Sequence, residues 1–162
     1  MQPVYIGLGS NLGGVMGEPV EQLEQALKAL ASHSQITLVS LSSNFKTKAI
    51  GPGTQPDYIN AVALIETQLE PLALLDCLQF IEQQHERERA VRWGARTLDL
   101  DILMYGNLTM DTPRLTIPHP RIAERAFVLV PLLDLNPNLS LPDDQSIAKL
   151  LANCPEQGIF RL

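Results

Sequence analysis

The chain is expected to be an α+β protein on a ferredoxin-like β-α-β-β-α-β core, an antiparallel sheet with helices packed on it, followed by a hairpin and short helices. Two observations lead there. Apolar periodicity alternates between two and about 3.6 residues in that order along the chain. Prolines also stand where the two long helices should begin, Pro19 and Pro71. The 162 residues fit one domain, 1–162, long enough to bury a core without metals or disulfides.

Tyr5-Ile6-Gly7-Leu8-Gly9 reads as a short buried strand running into a turn-rich Ser10-Asn11-Leu12-Gly13-Gly14. After Pro19, Val20, Leu23, Leu27 and Leu30 recur at helical spacing, with Glu21, Gln22, Glu24 and Lys28 opposite. Ile36 to Lys46 alternates imperfectly as one strand, anchored by Ile36, Leu38, Leu41 and Phe45. Residues 50–56, Ile-Gly-Pro-Gly-Thr-Gln-Pro, hold too many breakers to be anything but a loop. Tyr58 to Leu69 resumes strand character. Leu74, Leu75, Leu78 and Ile81 mark the second helix, which gives way to a charged tail from Glu82 to Arg89. A loop through Ala95 then delivers the chain into a strand at Asp99. Beyond it, Leu108 to Met110 and Leu115 to Ile117 can pair as a hairpin, and short helices are expected within Arg121 to Val130 and at Ser146 to Ala152.

Composition narrows the function. The net charge of -6 excludes a protein that grips long nucleic acid through its phosphates, which takes an extended positive surface. Ala126 to Val130, as long an apolar run as the chain has, is core-sized and far short of the roughly eighteen residues of a membrane span. The opening Met1-Gln2-Pro3-Val4-Tyr5-Ile6 has neither a basic region nor a cleavable apolar segment, so the expected location is the cytoplasm. Cys77 and Cys154 lack Cys-x-x-Cys spacing, and Cys77, among leucines of the second helix, reads as buried, reduced and inert.

The chemistry concentrates in residues 92–102, Arg-Trp-Gly-Ala-Arg-Thr-Leu-Asp-Leu-Asp-Ile. With Leu98, Leu100 and Ile102 facing a core, an extended strand turns Asp99 and Asp101 to the other face, their Cα atoms roughly 6.5–7 Å apart. Mg²⁺ takes oxygen ligands and is commonly held by one or two carboxylates plus substrate phosphates. Alone, Asp-Leu-Asp is equally the pattern of any strand with one wet face. Its neighbours separate the two readings. Arg87, Arg89, Arg92, Arg96, Arg114, Arg121 and Arg125 all fall between residues 87 and 125 of an otherwise acidic chain. Arginine offers a planar fork of donors matched to phosphate oxygens, whereas solubility alone is served by scattered lysines. No Gly-x-x-x-x-Gly-Lys loop is present. The site is therefore expected to be metal-assisted and to take a small phosphorylated substrate.

Taken together, Arg92-Trp93-Gly94-x-Arg96-x-x-Asp99-Leu100-Asp101, Tyr5-Ile6-x-Leu8-Gly9-Ser10-Asn11-Leu12, Gln55-Pro56-Asp57-Tyr58-x-Asn60, Pro118-His119-Pro120-Arg121 and Arg125-x-Phe127 resemble the 6-hydroxymethyl-7,8-dihydropterin pyrophosphokinases over nearly the full length. The resemblance implies transfer of a diphosphate from ATP, the co-substrate, to a pterin alcohol in folate biosynthesis. It implies two Mg²⁺ ions on Asp99 and Asp101, and catalytic roles for Arg87 and Arg96 at the triphosphate. Glu82, Arg89, Arg114, Thr116, His119 and Arg125 would bind ATP, Arg89 and Trp93 riding on a loop that closes over both substrates. Tyr58 and Phe127 would sandwich the pterin beside Trp93. Asn60 would read its edge with the backbone around Thr47 and Ile50. For Arg87 and Arg89 a solvated helix terminus explains the residue types as well, for Glu82 a helix surface does, and for Tyr58 and Phe127 ordinary packing does. Two departures stand out: Lys48-Ala49 replaces a proline-rich pair common in the family, and residues 89–92 form a shorter stretch.

The partners expected are the two small substrates, with no nucleic acid and no membrane, and a monomer. Two other readings use the same residues. A metal-dependent phosphohydrolase or nuclease would activate water on the same carboxylates and release inorganic phosphate without a pterin. A non-catalytic ferredoxin-like module would read single-stranded RNA on its sheet, but aromatic residues are only 5% of the chain and Asp99 and Asp101 would repel phosphate without a metal.

Overall fold

Period-two alternation along β1 (Gln2–Ser10) sends Val4, Ile6 and Leu8 into one hydrophobic cluster and leaves Tyr5, Gly7 and Gly9 on the opposite side. The other strands obey the same rule in a computed structural model that describes residues 1–14, 16–48, 56–85, 97–155 and 158–162. After β1 come α1 (Pro19–Ser32), β2 (Ile36–Leu41), β3 (Phe45–Thr47), β4 (Tyr58–Thr67), α2 (Pro71–His85) and β5 (Asp99–Tyr105). There follow the small hairpin β6 (Met110–Asp111) and β7 (Thr116–Ile117), a 3-10 turn at Ile122–Glu124, α3 (Ala126–Leu135), α4 (Ile147–Ala152) and β8 (Ile159–Arg161).

The sheet runs β5-β1-β4-β3-β8, with β2 also on β4, and every pairing is antiparallel. Two strands that are neighbours in space but distant in sequence, β1 and β4, form its centre, as the split β-α-β-β-α-β order requires. The single strand expected over Ile36 to Lys46 is two. Ser42 causes the break: its hydroxyl accepts the Val62 N–H at 2.9 Å while its own N–H reaches the Val62 carbonyl, so the ladder detours through a side chain.

Helices α1 and α2 cover one face, where Ile6, Leu30, Ile65, Leu74 and Leu78 are sealed from solvent. Each fully buried leucine or isoleucine there stabilises the fold by roughly 1.5–3 kcal/mol relative to exposure. Helices α3 and α4 cover part of the opposite face through Tyr5, Val62, Leu103, Met104, Leu129, Leu132 and Ile147. A register shift between Tyr5 and Ile6 makes Leu103 the extra residue of β5, so Leu103 and Met104 both join this second cluster. The helix expected within Arg121 to Val130 extends to Leu135, carrying Pro131 inside it. Cys77 is half-buried against the first cluster rather than fully enclosed, and burial still pushes its thiol above the ordinary range.

Among the described residues no helix is long and apolar enough to cross a membrane.

Candidate active site

Because α3 begins only at Ala126, the end of the sheet that carries Gly7, Gly9, Asn60, Asp99 and Asp101 stays open as a cavity of about 470 Å³. Strand register builds it. Gly9 pairs with Asn60 on one side and with Asp99 on the other, and Gly7 pairs with Asp101. A Cβ on Gly9 would lie 2.8 Å from Asn60 Oδ1 and one on Gly7 3.3 Å from Leu103. The two glycines therefore act as missing side chains, clearing the floor between the amide and the carboxylates. Read from sequence, Gly9-Ser10-Asn11 could have been a tight turn, but Gly9 and Ser10 are strand residues.

Asp99 and Asp101 are both half-buried and line the cavity, on the face away from Leu100 and Ile102 as the alternation predicts. Among the described residues no group of three or more His, Cys, Asp and Glu converges. Two carboxylates on one open face offer oxygen donors of the kind a hard cation takes. Its remaining ligands would be phosphate oxygens and water, which is how Mg²⁺ is usually held. The donor set fits.

Glu82, expected at the nucleotide, has another partner: its Oε2 accepts the Leu100 N–H at 2.8 Å. β5 is an edge strand, and this bond satisfies an outward N–H midway between the two aspartates, holding their strand from the side. His119 donates its backbone N–H to the Leu103 carbonyl, and its Nδ1 accepts the Arg121 N–H at 3.1 Å. Burial lowers the His119 pKa; Asp101 pulls it back up while Arg125 and Arg121 push it down. Asp101, Arg121 and Arg125 line the cavity, and His119 lies close enough to feel all three charges without lining it, its imidazole biased toward the neutral form.

Besides the two carboxylates, Thr47, Tyr58, Asn60 and Phe127 line the cavity. The Asn60 amide donates to Thr47 Oγ1 at 2.8 Å, both residues being buried, so the contribution of Thr47 includes its hydroxyl as well as its backbone. The Arg125 guanidinium lies 5.5 Å from the Phe127 ring centroid, joining the basic rim to the aromatic wall.

Not every expected residue arrives. Arg114 is turned onto α2, its Nη2 bonded to Asp76 Oδ1 at 2.7 Å and Gln79 Oε1 at 3.1 Å, and Thr116 Oγ1 bonds Asp111 Oδ1. Neither lines the cavity. Ile50, Arg87, Arg89, Arg92, Trp93 and Arg96 lie outside the described residues, as do the greater part of the breaker-rich loop and the shorter 89–92 stretch. Conversely, Gly7, Lys48, Leu103, Arg121 and Glu124 line the cavity without having been singled out as site residues. Glycines at 7 and 9 of an otherwise apolar strand were a legible signal of close approach, and Arg121 belonged to the arginine cluster. For Glu124 the sequence carried no signal.

The family model for 7,8-dihydro-6-hydroxymethylpterin-pyrophosphokinase (HPPK) matches residues 5–137. A Pseudomonas aeruginosa protein named 2-amino-4-hydroxy-6-hydroxymethyldihydropteridine pyrophosphokinase is 49% identical over 162 residues, spanning 100% of this chain and 98% of that protein. A Haemophilus influenzae protein of the same name is 51% identical over 162 residues, 100% of this chain and 99% of that one. Among solved structures, an HPPK-DHPS crystallised with substrates superposes on 94% of this chain and 43% of its own with a TM-score of 0.73. At 13% identity that likeness concerns the fold alone.

Proposed function

This chain belongs to the 7,8-dihydro-6-hydroxymethylpterin-pyrophosphokinase family, and on that premise we propose how its residues divide the work. The enzyme transfers a diphosphate from ATP to 6-hydroxymethyl-7,8-dihydropterin in folate biosynthesis. The pterin hydroxyl oxygen bonds to the β-phosphorus as the bond from that phosphorus to the α,β-bridging oxygen breaks; the bridging oxygen leaves with the electron pair on AMP, and the hydroxyl proton passes to solvent. The reaction runs in one domain, residues 1–162, acting as a monomer in the cytoplasm.

Asp99 and Asp101 would hold magnesium, two ions by our reading, which would supply charge neutralisation at the phosphate oxygens. Arg125 and His119 position the triphosphate from the rim, with Arg121 supplying further positive charge. Arg87 and Arg96 serve the transition state, and Arg89 helps bind the nucleotide. Arg114 and Thr116 keep at most a peripheral part. Tyr58 and Phe127 stack on the pterin with Trp93, the Ile50 backbone contributes to its edge, and Asn60 presents its carbonyl to a donor of the ring once its amide is committed to Thr47. Glu82 braces β5 through the Leu100 N–H, and any contact with the nucleotide falls to its other oxygen. Since little covalent chemistry falls to the protein, catalysis is positioning and electrostatics.

One observation supports this division above the others: the same cavity carries two carboxylates on β5 and an amide with two aromatics on β4 and α3, so a phosphate half and a flat heterocycle half adjoin. Incubation with ATP, Mg²⁺ and 6-hydroxymethyl-7,8-dihydropterin tests the activity. AMP in step with pterin diphosphate is expected. Orthophosphate release without any pterin would overturn it in favour of a phosphohydrolase.

A further inference from the structure

The row of paired residues that carries Asp99, Gly9 and Asn60 continues across the sheet to Phe45 of β3 and Arg161 of β8, near the end of the chain. Arg161 is beyond the 5–137 segment that the family model matches. Its guanidinium stacks 5.0 Å from the Phe45 ring centroid, its Nη1 donates to Ser43 Oγ at 2.5 Å, and its Nη2 donates to Asp134 Oδ1 at 3.0 Å. Asp134 Oδ2 in turn accepts the Ser43 backbone N–H at 2.8 Å. Ser43 lies in the break between β2 and β3, and Asp134 is the last residue but one of α3.

We propose that the Arg161–Asp134–Ser43 clamp is a positioning device that sets the width of the pterin slot. Two walls of that slot are at stake. One is β3, only three residues long, which presents Thr47 to Asn60; among the described residues β8 is its sole strand partner on the side away from β4. The other is α3, which carries Phe127 at its first turn and Asp134 at its last. The clamp ties the far end of α3 to the chain entering β3, so it fixes the axial position of Phe127 against Thr47, Tyr58 and Asn60. Nothing in this arrangement touches Asp99 or Asp101 directly, which makes the expected effect selective.

As a surface ion pair the Arg161–Asp134 contact adds little stability, with the Arg161 side chain 55% exposed. Its chemistry argues for geometry instead. A planar fork that bonds a carboxylate and a hydroxyl while stacked on a ring has one pose, which a lysine cannot reproduce.

The inference rests on the pterin-slot reading of the cavity, and its test separates the two. Wild type, Arg161→Ala and Arg161→Lys are compared for pterin KM, ATP KM, kcat and melting temperature. Pterin affinity is also measured calorimetrically with Mg²⁺ and a non-hydrolysable ATP analogue. For Arg161→Ala a rise in pterin KM of about tenfold is expected with ATP KM within about twofold, since slot geometry must hold to a fraction of an ångström. Arg161→Lys, which keeps charge but loses the fork, should shift the same parameter in the same direction by less. Asp134→Ala combined with Arg161→Ala should be no worse than either alone. Equal changes in both KM values, or pterin affinity unchanged in a folded variant, would overturn the clamp. Wild-type protein that binds no pterin would instead overturn the slot reading itself.

Discussion

The two faces of the sheet are made by the same strands and do opposite things. Toward α1 and α2, Leu8, Leu100 and Ile102 are 2–3% exposed and the face is filled hydrocarbon. One residue along, Gly7, Gly9, Asp99 and Asp101 form the floor of an open cavity. A period of two lets one strand anchor the core and present carboxylates to a cavity at once, because neighbouring side chains point to opposite faces. The filled face tolerates few substitutions for reasons of stability, and the open face few for reasons of chemistry. The two costs should therefore be separable by mutation, residue by residue, within β5.

Alternating substitutions along β5 test that separation most severely. Asp99→Ala or Asp101→Ala removes a carboxylate from a wet cavity without opening a void. Transfer should fall by about 10³-fold, with the melting temperature nearly unchanged. Leu100→Ala, between them, should do the reverse. A leucine 3% exposed in the first cluster leaves a void worth about 2–5 kcal/mol, which lowers the melting temperature by about 2–4 °C per kcal/mol. The protein that remains folded should keep most of its turnover. Thermal melts and AMP formation on the three variants decide it; an aspartate variant that melts like Leu100→Ala would give Asp99 or Asp101 a structural role instead.

The filled face was legible in the sequence and the open face only by halves. Leu23, Leu30, Leu74 and Leu78 repeat at helical spacing over long stretches, and burial follows from pattern alone. Asp99 and Asp101 were legible for the same reason, since flanking leucines fix which way a strand residue points. Where sequence and structure part, the deciding contacts are distant in the chain. Ser42 breaks the second strand through Val62, twenty residues on. β8 is three residues long after a Pro155 and has no alternation to read, yet it pairs with β3. Glu82 reads from the sequence as a helix-surface or nucleotide-contacting residue, and its bond to the Leu100 N–H, eighteen residues on, is not visible in either reading. Arg114 shared in the arginine cluster by sequence but was claimed by Asp76 and Gln79. Position in the chain could not disclose either competition.

A milder way to sharpen the contrast is to put a side chain where the open face has none. Gly9→Ala places a methyl 2.8 Å from Asn60 Oδ1, closer than real Cβ contacts come, so Asn60 must swing and its bond to Thr47 must lengthen. Asp99, though paired with Gly9, keeps its strand position. Pterin KM should rise by about tenfold while ATP KM moves little, on the premise that sub-ångström misplacement of a recognition group is costly. Equal losses for both substrates would show that the glycine serves β1 as a whole.

The smallest effect belongs to the filled face, at its one buried histidine. His85 is 3% exposed at the end of α2, and its Nδ1 donates to Gln22 Oε1, whose amide in turn donates to the Gly17 carbonyl at 2.8 Å. Burial holds the His85 pKa below the ordinary value of about 6.5. The unfolded chain therefore binds that proton more readily than the folded one. Its contribution to stability is complete above about pH 6.5 and is lost as the pH falls toward the folded value. His119, also lowered by burial, contributes in the same window, and Asp134, held low chiefly by the Ser43 N–H, contributes only in the acidic carboxylate range. The informative quantity is thus the difference between wild type and His85→Gln, a side chain that can still donate to Gln22 but never titrates. Between pH 7.5 and pH 5 the wild-type melting temperature should fall by a few degrees more than that of the variant, about 2–4 °C for each kcal/mol. Parallel curves would mean that the imidazole finds enough solvent to protonate in place, and that the filled face is less sealed at the end of α2 than its exposure implies.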